Sequence, residues 1–351
     1  MDGNSPFIGR MSVMLKLGII GTNWITAQFI DAALATKAYE LTTIYSRHAD
    51  KAQAWQDKYQ AQEYFTDLTE FFEKGQFDVV YIASPNSLHF EQTKQAVLAG
   101  KNVIVEKPAF ANPTQQHVIQ QLLDQNPDRF VLEAARHVYE PNFTHIKTAI
   151  AQLDDLQGAT LTYMKYSSRY DQVLAGETPN IFNPVFAGGS VQDLGVYVVY
   201  DAVAWFGSPD RVAYFATPTP TGVDGHGTAI LTYQDFDVTL IFGKNATSFL
   251  PSEIYGLHDT LVIKPNAADI AQVEKHQFGS DTVTPLGEPA AANPMLHEAQ
   301  AFADIIQQND HAYAQQQFDL SAEVNSVLYQ LRRSAGLHFP ADSVSEDTHA
   351  E

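Results

Sequence analysis

Three sets of residues in this chain have types and spacings suited to chemistry. The first is Glu106-Lys107-Pro108, which closes the apolar run Asn102–Val105. A lysine at the end of a buried strand can hydrogen-bond a substrate oxygen and stabilise negative charge that develops on it. Proline fixes φ and has no N–H, so the ammonium leaves a stiff turn, with Glu106 as its expected anchor. The second set is Asp193 and Tyr197, four residues apart in a segment of helical period, so both side chains should share one face. A tyrosine beside Lys107 is expected to have a lowered pKa and to exchange a proton with a substrate hydroxyl. Asp193 would orient either group or bind a hydroxyl. The third set is Gly21-Thr22-Asn23-Trp24-Ile25-Thr26, between a short apolar run and an amphipathic one. A strand that stops at glycine before a helix makes an anion site, because N–H groups at the helix start point at the ligand.

That third context points to the pyrophosphate of a dinucleotide. The fingerprint G-x-G-x-x-G/A is incomplete, because Asn23 takes the second glycine and Thr26 the third small position. Asparagine tolerates positive φ better than other side chains, so Asn23 is expected there. The next apolar run ends in Tyr45-Ser46-Arg47-His48 and offers no carboxylate for a ribose 2′-hydroxyl. Ser46 and Arg47 could hold a 2′-phosphate instead, which favours NADP over NAD. The 12 histidines show no H-x-x-x-H spacing, so no catalytic metal is expected.

The elements that must position these residues follow from periodicity. Leu15–Ile20, Tyr39–Tyr45, Phe77–Ala83, Asn102–Val105 and Phe130–Ala134 read as buried strands. Trp24–Thr36, Lys51–Tyr59, His89–Ala99 and Pro113–Asp124 read as helices between them. Strands alternating with helices make a doubly wound parallel sheet, a Rossmann domain over residues 15–136. After about residue 140 the pattern changes to strands without intervening helices: Ala159–Ser167, Arg211–Thr217, Thr228–Tyr233 and Asp237–Phe242. The link Gln234-Asp235-Phe236 predicts an antiparallel hairpin. Helices are expected over Asp193–Phe206 and Pro294–Gln308, and from a cap at Asp319 or Ser321 to about Ser334. Residues 137–340 thus form an α+β substrate domain with a largely antiparallel sheet. The two last strands place apolar residues on both faces, so one face is expected to meet a second copy in a homodimer or homotetramer.

Composition excludes several classes. There are 21 Lys and Arg against 41 Asp and Glu, so the chain, at −20, repels nucleic acid and anionic membranes. No apolar run approaches the roughly 20 residues of a membrane helix. With no cysteine there are no disulfides, thiolate metal sites or cysteine nucleophiles, which fits a cytoplasmic setting. Residues 1–14 lack the continuous apolar core of a signal peptide and are expected to be a disordered leader or tag remnant, with Met11 or Met14 as the natural start. Residues 341–351 are expected to be a frayed polar tail.

Longer motifs carry a resemblance. Ala83-Ser84-Pro85-Asn86-Ser87-Leu88-His89, then Ala99-Gly100-Lys101-Asn102-Val103-Ile104-Val105-Glu106-Lys107-Pro108, then Gly188-Gly189-Ser190-Val191-Gln192-Asp193-Leu194-Gly195-Val196-Tyr197 follow one another along the chain. Together they resemble the glucose–fructose oxidoreductase / inositol dehydrogenase / rhizopine-catabolism (Gfo/Idh/MocA) family, from Leu15 to about Phe339. Tyr197, where many members have histidine, resembles the dihydrodiol, D-xylose and glucose–fructose oxidoreductase branches. The resemblance implies a cis Lys107–Pro108 bond. It also implies cofactor contacts from Gly21 to Ile25 and from Ser46, Arg47, Ser84, Pro85, Asn86, His89, Glu106 and Lys107. The implied activity is NAD(P)-dependent hydride transfer on a sugar, polyol or trans-dihydrodiol, with Lys107, Tyr197 and Asp193 catalytic. Arg169 and Asn183, on a polar loop before the Asp193 helix, are candidate substrate ligands, as are Tyr170 and Asn180. His137 is a further candidate. The competing reading is a non-catalytic dinucleotide sensor of the same fold, to which Asn23 and Thr26 lend weight.

Overall fold

A computed structural model of the chain describes residues 13–343. The expected leader lies outside the described residues up to residue 12, and the expected tail from residue 344. The first layer alternates strand and helix: β1 (Leu15–Ile20), α1 (Trp24–Thr36), β2 (Tyr39–Tyr45), α2 (Ala49–Tyr59), β3 (Glu63–Phe65) and α3 (Leu68–Lys74). It continues with β4 (Val79–Ile82), α4 (His89–Leu98), β5 (Asn102–Glu106), α5 (Pro113–Gln125) and β6 (Val131–Ala134). The strands form one parallel sheet in the order β3-β2-β1-β4-β5-β6, the doubly wound arrangement. β4 and β5 are buried at every position because helices cover both faces, which is why they read as continuous apolar runs. β3 and α3 escape the periodicity. The strand has three half-buried residues, too few to show a pattern.

The second layer holds α6 (Pro141–Ile150), β7 (Gly158–Met164), α7 (Tyr170–Leu174), α8 (Val196–Phe206), β8 (Arg211–Pro218), β9 (Asp224–Thr232) and β10 (Asp237–Gly243). Then come β11 (Ser252–Tyr255), β12 (Asp259–Pro265), β13 (Ile270–Gln277) and β14 (Val283–Pro285), followed by α9 (Leu296–Gln308) and α10 (His311–Ser334). The sheet order is β14-β13-β12-β11-β7-β10-β9-β8, antiparallel except where β7 meets β10. The hairpin at Gln234–Phe236 joins β9 to β10 as the sequence predicts. Val238, Leu240 and Phe242 of β10 face inward against α8 and α10, while Thr239 and Ile241 face out half-buried. Two helix starts differ from expectation. α10 begins at His311, with Asp310 accepting from the Tyr313 N–H at 3.0 Å, well before Asp319. Its first turns bury only Ala314 and Phe318 among glutamines, so the apolar period is faint there. α9 starts at Leu296 rather than Pro294, and its apolar face packs on α1 within the core of the parallel sheet.

Candidate active site

The loop after β1 turns at Gly21, whose φ is +113° and where a Cβ would stand 2.7 Å from the Ala83 carbonyl oxygen. Only glycine fits both constraints. Asn23 corrects an expectation: its φ is −122°, ordinary extended backbone, not positive. Its side chain does three things instead. Oδ1 accepts from the Ile25 and Thr26 N–H groups at 2.9 and 3.2 Å, and Nδ2 donates to the Ala83 carbonyl at 3.0 Å. Asn23 is therefore the N-cap of α1 and a tie between the exits of β1 and β4. The N–H groups of Thr22, Asn23 and Trp24 have no acceptor among the described residues. Free amides at a helix start beside a glycine suit a pyrophosphate. Ser46 is buried at the end of β2, and the exposed Arg47 beside it makes no ion pair among the described residues, an arrangement open to a 2′-phosphate.

The exits of β4 and β5 carry the next group. His89 is buried, with Nδ1 3.1 Å from the Pro108 carbonyl and Nε2 2.9 Å from that of Ser84. It braces two strand exits, and burial pushes its pKa down to about 4. Ser84 donates to Gln92 at 2.7 Å, Pro85 precedes the turn that opens α4, and Asn86 donates to the Ala187 carbonyl at 3.1 Å, joining the two layers. The Lys107–Pro108 bond is cis.

Lys107 is where the layers converge. Its Nζ donates to the Asp193 carbonyl at 2.9 Å and lies 3.0 Å from Asp193 Oδ1, and the Tyr197 ring centre is 4.9 Å away. Asp193 sits in a π-helical turn, Val191–Gly195, that runs into α8, so helical period alone places it only approximately. The wide turn exposes the Asp193 carbonyl, and Lys107 takes it. Burial disfavours charge on both groups. Even so, the pair holds Lys107 well above the usual lysine range, and Lys107 with Lys244 holds Asp193 well below the usual carboxylate range.

Two expectations around Lys107 are corrected. Glu106 does not anchor it: the Glu106 carboxyl points to the Tyr81 hydroxyl, 2.5 Å away, on the buried side of the sheet. Alternation along a strand sends neighbours to opposite faces. The Tyr197 phenol is pushed above its ordinary pKa, not below, because burial outweighs the pull of Lys107 and Arg136. Arg136 stands 5.6 Å from the Tyr197 ring centre, held by Glu140 at 3.0 Å and Asp269 at 2.5 Å.

The remaining candidates are more peripheral. His137 is buried behind Tyr197, with ring centres 4.9 Å apart, and Nε2 is 3.4 Å from Asp201. Burial and Arg136 push its pKa down to about 3, so it is neutral. Arg169 is exposed ahead of α7. Asn183 Oδ1 accepts from the Val185 N–H at 2.9 Å and shapes its own turn. Among the described residues no group of His, Asp and Glu could hold a metal ion. Sequence reasoning missed Lys244, at the end of β10, whose ammonium is 2.8 Å from Asp193 Oδ2. The available signal was a lysine directly closing an apolar strand, as Lys107 does.

A doubly wound parallel sheet with an anion loop at its carboxyl edge, and a partly buried Lys–Asp–Tyr cluster at the same edge, define a dinucleotide-dependent oxidoreductase. Residues 15–134 match the oxidoreductase family with an NAD-binding Rossmann fold, Gfo/Idh/MocA. The chain is 38% identical to the uncharacterized oxidoreductase YgjR of Escherichia coli K12, over 94% of this chain and 99% of that protein. It is 34% identical to the scyllo-inositol 2-dehydrogenase (NADP+) IolU of Bacillus subtilis, with the same coverage. The 3-ketoreductase KijD10 of Actinomadura kijaniata, solved with NADP and TDP-benzene, superposes with a TM-score of 0.80 at 20% identity, covering 92% of this chain and 98% of that one. The chain belongs to the Gfo/Idh/MocA family of oxidoreductases.

Proposed function

We propose that this protein is an NADP-dependent dehydrogenase of a polyol or sugar, oxidising a secondary alcohol to a ketone or running the reverse. The observation that carries it is the meeting of the Lys107 ammonium, Asp193 and the Tyr197 ring at the strand exits. NADP rather than NAD is supported by Arg47 at the end of β2 and by the NADP+ dependence in the name of the Bacillus relative. That relative's inositol substrate is the reason for placing polyols first. When bound, the nicotinamide accepts or supplies the hydride.

The protein's own residues handle the oxygen and its proton. Lys107 hydrogen-bonds the substrate oxygen and stabilises the alkoxide character that grows as the carbon loses hydride. Tyr197 takes the hydroxyl proton in oxidation and returns it to the carbonyl in reduction. Asp193 keeps Lys107 charged and fixes its direction. The Thr22, Asn23 and Trp24 amides would hold the pyrophosphate and Arg47 the 2′-phosphate. Arg169 and Asn183, on the loop before the Asp193 helix, would contact the substrate. The half-buried outer face of the second sheet, with Ile241 and the exposed Phe215, supports packing against a second copy. A monomeric mass by light scattering would refute that assembly. The absence of cysteine supports a cytoplasmic setting.

The test is the initial rate of NADP+ reduction with a panel of inositols, other polyols, aldoses and trans-dihydrodiols. Turnover of a polyol or sugar that Tyr197→Phe abolishes is the expected result. Tight NADP+ binding with no turnover on any of them would favour the sensor reading.

A further inference from the structure

Lys244 is a lysine with 1% exposure, at the end of β10. Its ammonium lies 2.8 Å from Asp193 Oδ2, donates to the Ile181 carbonyl at 3.0 Å and stands 4.5 Å from the Phe182 ring centre. The other oxygen of Asp193 is 3.0 Å from Lys107. One carboxylate thus bridges two ammoniums. A lone Lys107–Asp193 pair carries no net charge, and its field at a substrate oxygen is only that of a dipole. With Lys244 the three groups carry one net positive charge. Lys107 is the more open of the two lysines, its side chain 12% exposed against 1%. The other charged group near Lys244 is Asp224, which accepts from the Tyr214 hydroxyl and the Val191 N–H. Asp224 makes no ion pair with either lysine among the described residues, and its Oδ2 is already held by those two donors. Burial pushes its carboxyl upward and the Lys244 ammonium downward, and Asp193 opposes the latter.

We propose that Lys244 is a positioning residue for the reaction: it holds the second oxygen of Asp193, leaves Lys107 with unneutralised charge toward the substrate oxygen, and ties the loop at Ile181 to the same carboxylate. This rests on the reading of Lys107 and Tyr197 given above. A lysine that merely supported the loop would bond Ile181 and leave the behaviour of Lys107 unaltered.

The experiment compares Lys244→Met and Lys244→Arg in the full-length protein. Lys244→Met should lower kcat on a turned-over polyol by about 10²-fold, the scale of one lost electrostatic contact, with NADP+ affinity by fluorescence titration unchanged. Lys244→Arg should restore most of the rate. The charged and titratable groups facing Tyr197 are Lys107, Arg136, Glu106, Asp193, the phenols of Tyr163 and Tyr81, and the neutral His137. Losing Lys244 leaves the Asp193 charge in this set less neutralised, so the alkaline rise of kcat/KM in oxidation should move to higher pH. Wild-type kcat with an unshifted profile in Lys244→Met would overturn the proposal. So would equal losses of rate and thermal stability in both variants, the mark of a structural lysine. A second arm needs no turnover: ammonium signals of [15N]lysine protein should move for Lys107 in Lys244→Met, and for both lysines in Asp193→Asn. An unmoved Lys107 signal in Lys244→Met overturns the coupling. If the wild type oxidises no polyol or sugar while that signal moves, the functional reading fails alone.

Discussion

Replacing Gly21 with alanine tests whether the loop after β1 holds the dinucleotide. At φ +113° an L-residue is strained by about 1–3 kcal/mol. The added Cβ would also stand 2.7 Å from the Ala83 oxygen and 3.0 Å from its carbon. Ala83 cannot yield easily, because its N–H bonds Ile20 at 2.9 Å and its carbonyl accepts from Asn23 at 3.0 Å. Relief must come from the loop itself, for an overpacking cost of about 1–3 kcal/mol. The variant should be destabilised by about 2–6 kcal/mol, summed from those two ranges. Displacing one amide from a charged phosphate oxygen costs about 1.5–3 kcal/mol, or about 10- to 100-fold in affinity. Thermal unfolding with and without NADP+ separates the two effects. At a concentration 100 times Kd the ligand adds about 2.7 kcal/mol to the wild type, whereas a site weakened about 100-fold gains only about 0.4 kcal/mol. A ligand-induced shift in Gly21→Ala equal to that of the wild type would refute the assignment of this loop.

Other outcomes follow from the same geometry. Arg47→Ala should weaken NADP+ binding by about 10- to 100-fold and leave NAD+ binding unchanged, since only the 2′-phosphate contact is lost; parallel losses for both cofactors would contradict it. Because burial raises the Tyr197 phenol, the group is protonated at neutral pH. Oxidation, which needs it deprotonated, should therefore accelerate as pH rises toward that pKa, while reduction should slow above it. Flat pH profiles for both directions would remove Tyr197 from proton transfer. Arg332 is fully buried, with Asp342 at 2.9 and 3.0 Å and the Ala111 carbonyl at 2.9 Å. Arg332→Met should cost about 3–5 kcal/mol in urea unfolding and open the Leu337–Asp342 segment to protease. A change below about 0.5 kcal/mol would show the pair to be energetically idle.

Much of this site was legible because it depends on short-range pattern. Strand exits are marked by apolar runs that stop at Gly21, Ser84 and Lys107, and a parallel sheet collects those exits at one edge. Asp193 and Tyr197 announced themselves by spacing, although a π-helical turn sets the geometry of the first. Features that depend on partners far along the chain were not legible. Asn23 fits a positive-φ position by type, yet the Ile25 and Thr26 N–H groups and the Ala83 carbonyl draw it into an N-cap. Glu106 looks like a partner for its neighbour until Tyr81, on the adjacent strand, claims it. The sign of the Tyr197 shift needed the depth of burial as well as the nearby cation. Lys244 was hidden because β10 reaches Asp193 only through the pairing of β10 with β7 and β9. Strands β11 and β14 are short, and β12 and β13 bury only brief apolar runs among polar residues, so their joining of the sheet is a tertiary fact.

The most direct test of the central claim follows the hydrogen itself. A polyol deuterated at its carbinol carbon is incubated with NADP+ and the wild-type protein or Lys107→Met, and the reduced cofactor is examined by mass spectrometry and proton NMR. The account predicts deuterium at C4 of the nicotinamide with the wild type, and a rate lower by about 10²–10³-fold in Lys107→Met, the cost of removing the group that stabilises the developing oxyanion. Deuterium released to solvent, or an undiminished rate without Lys107, would contradict it.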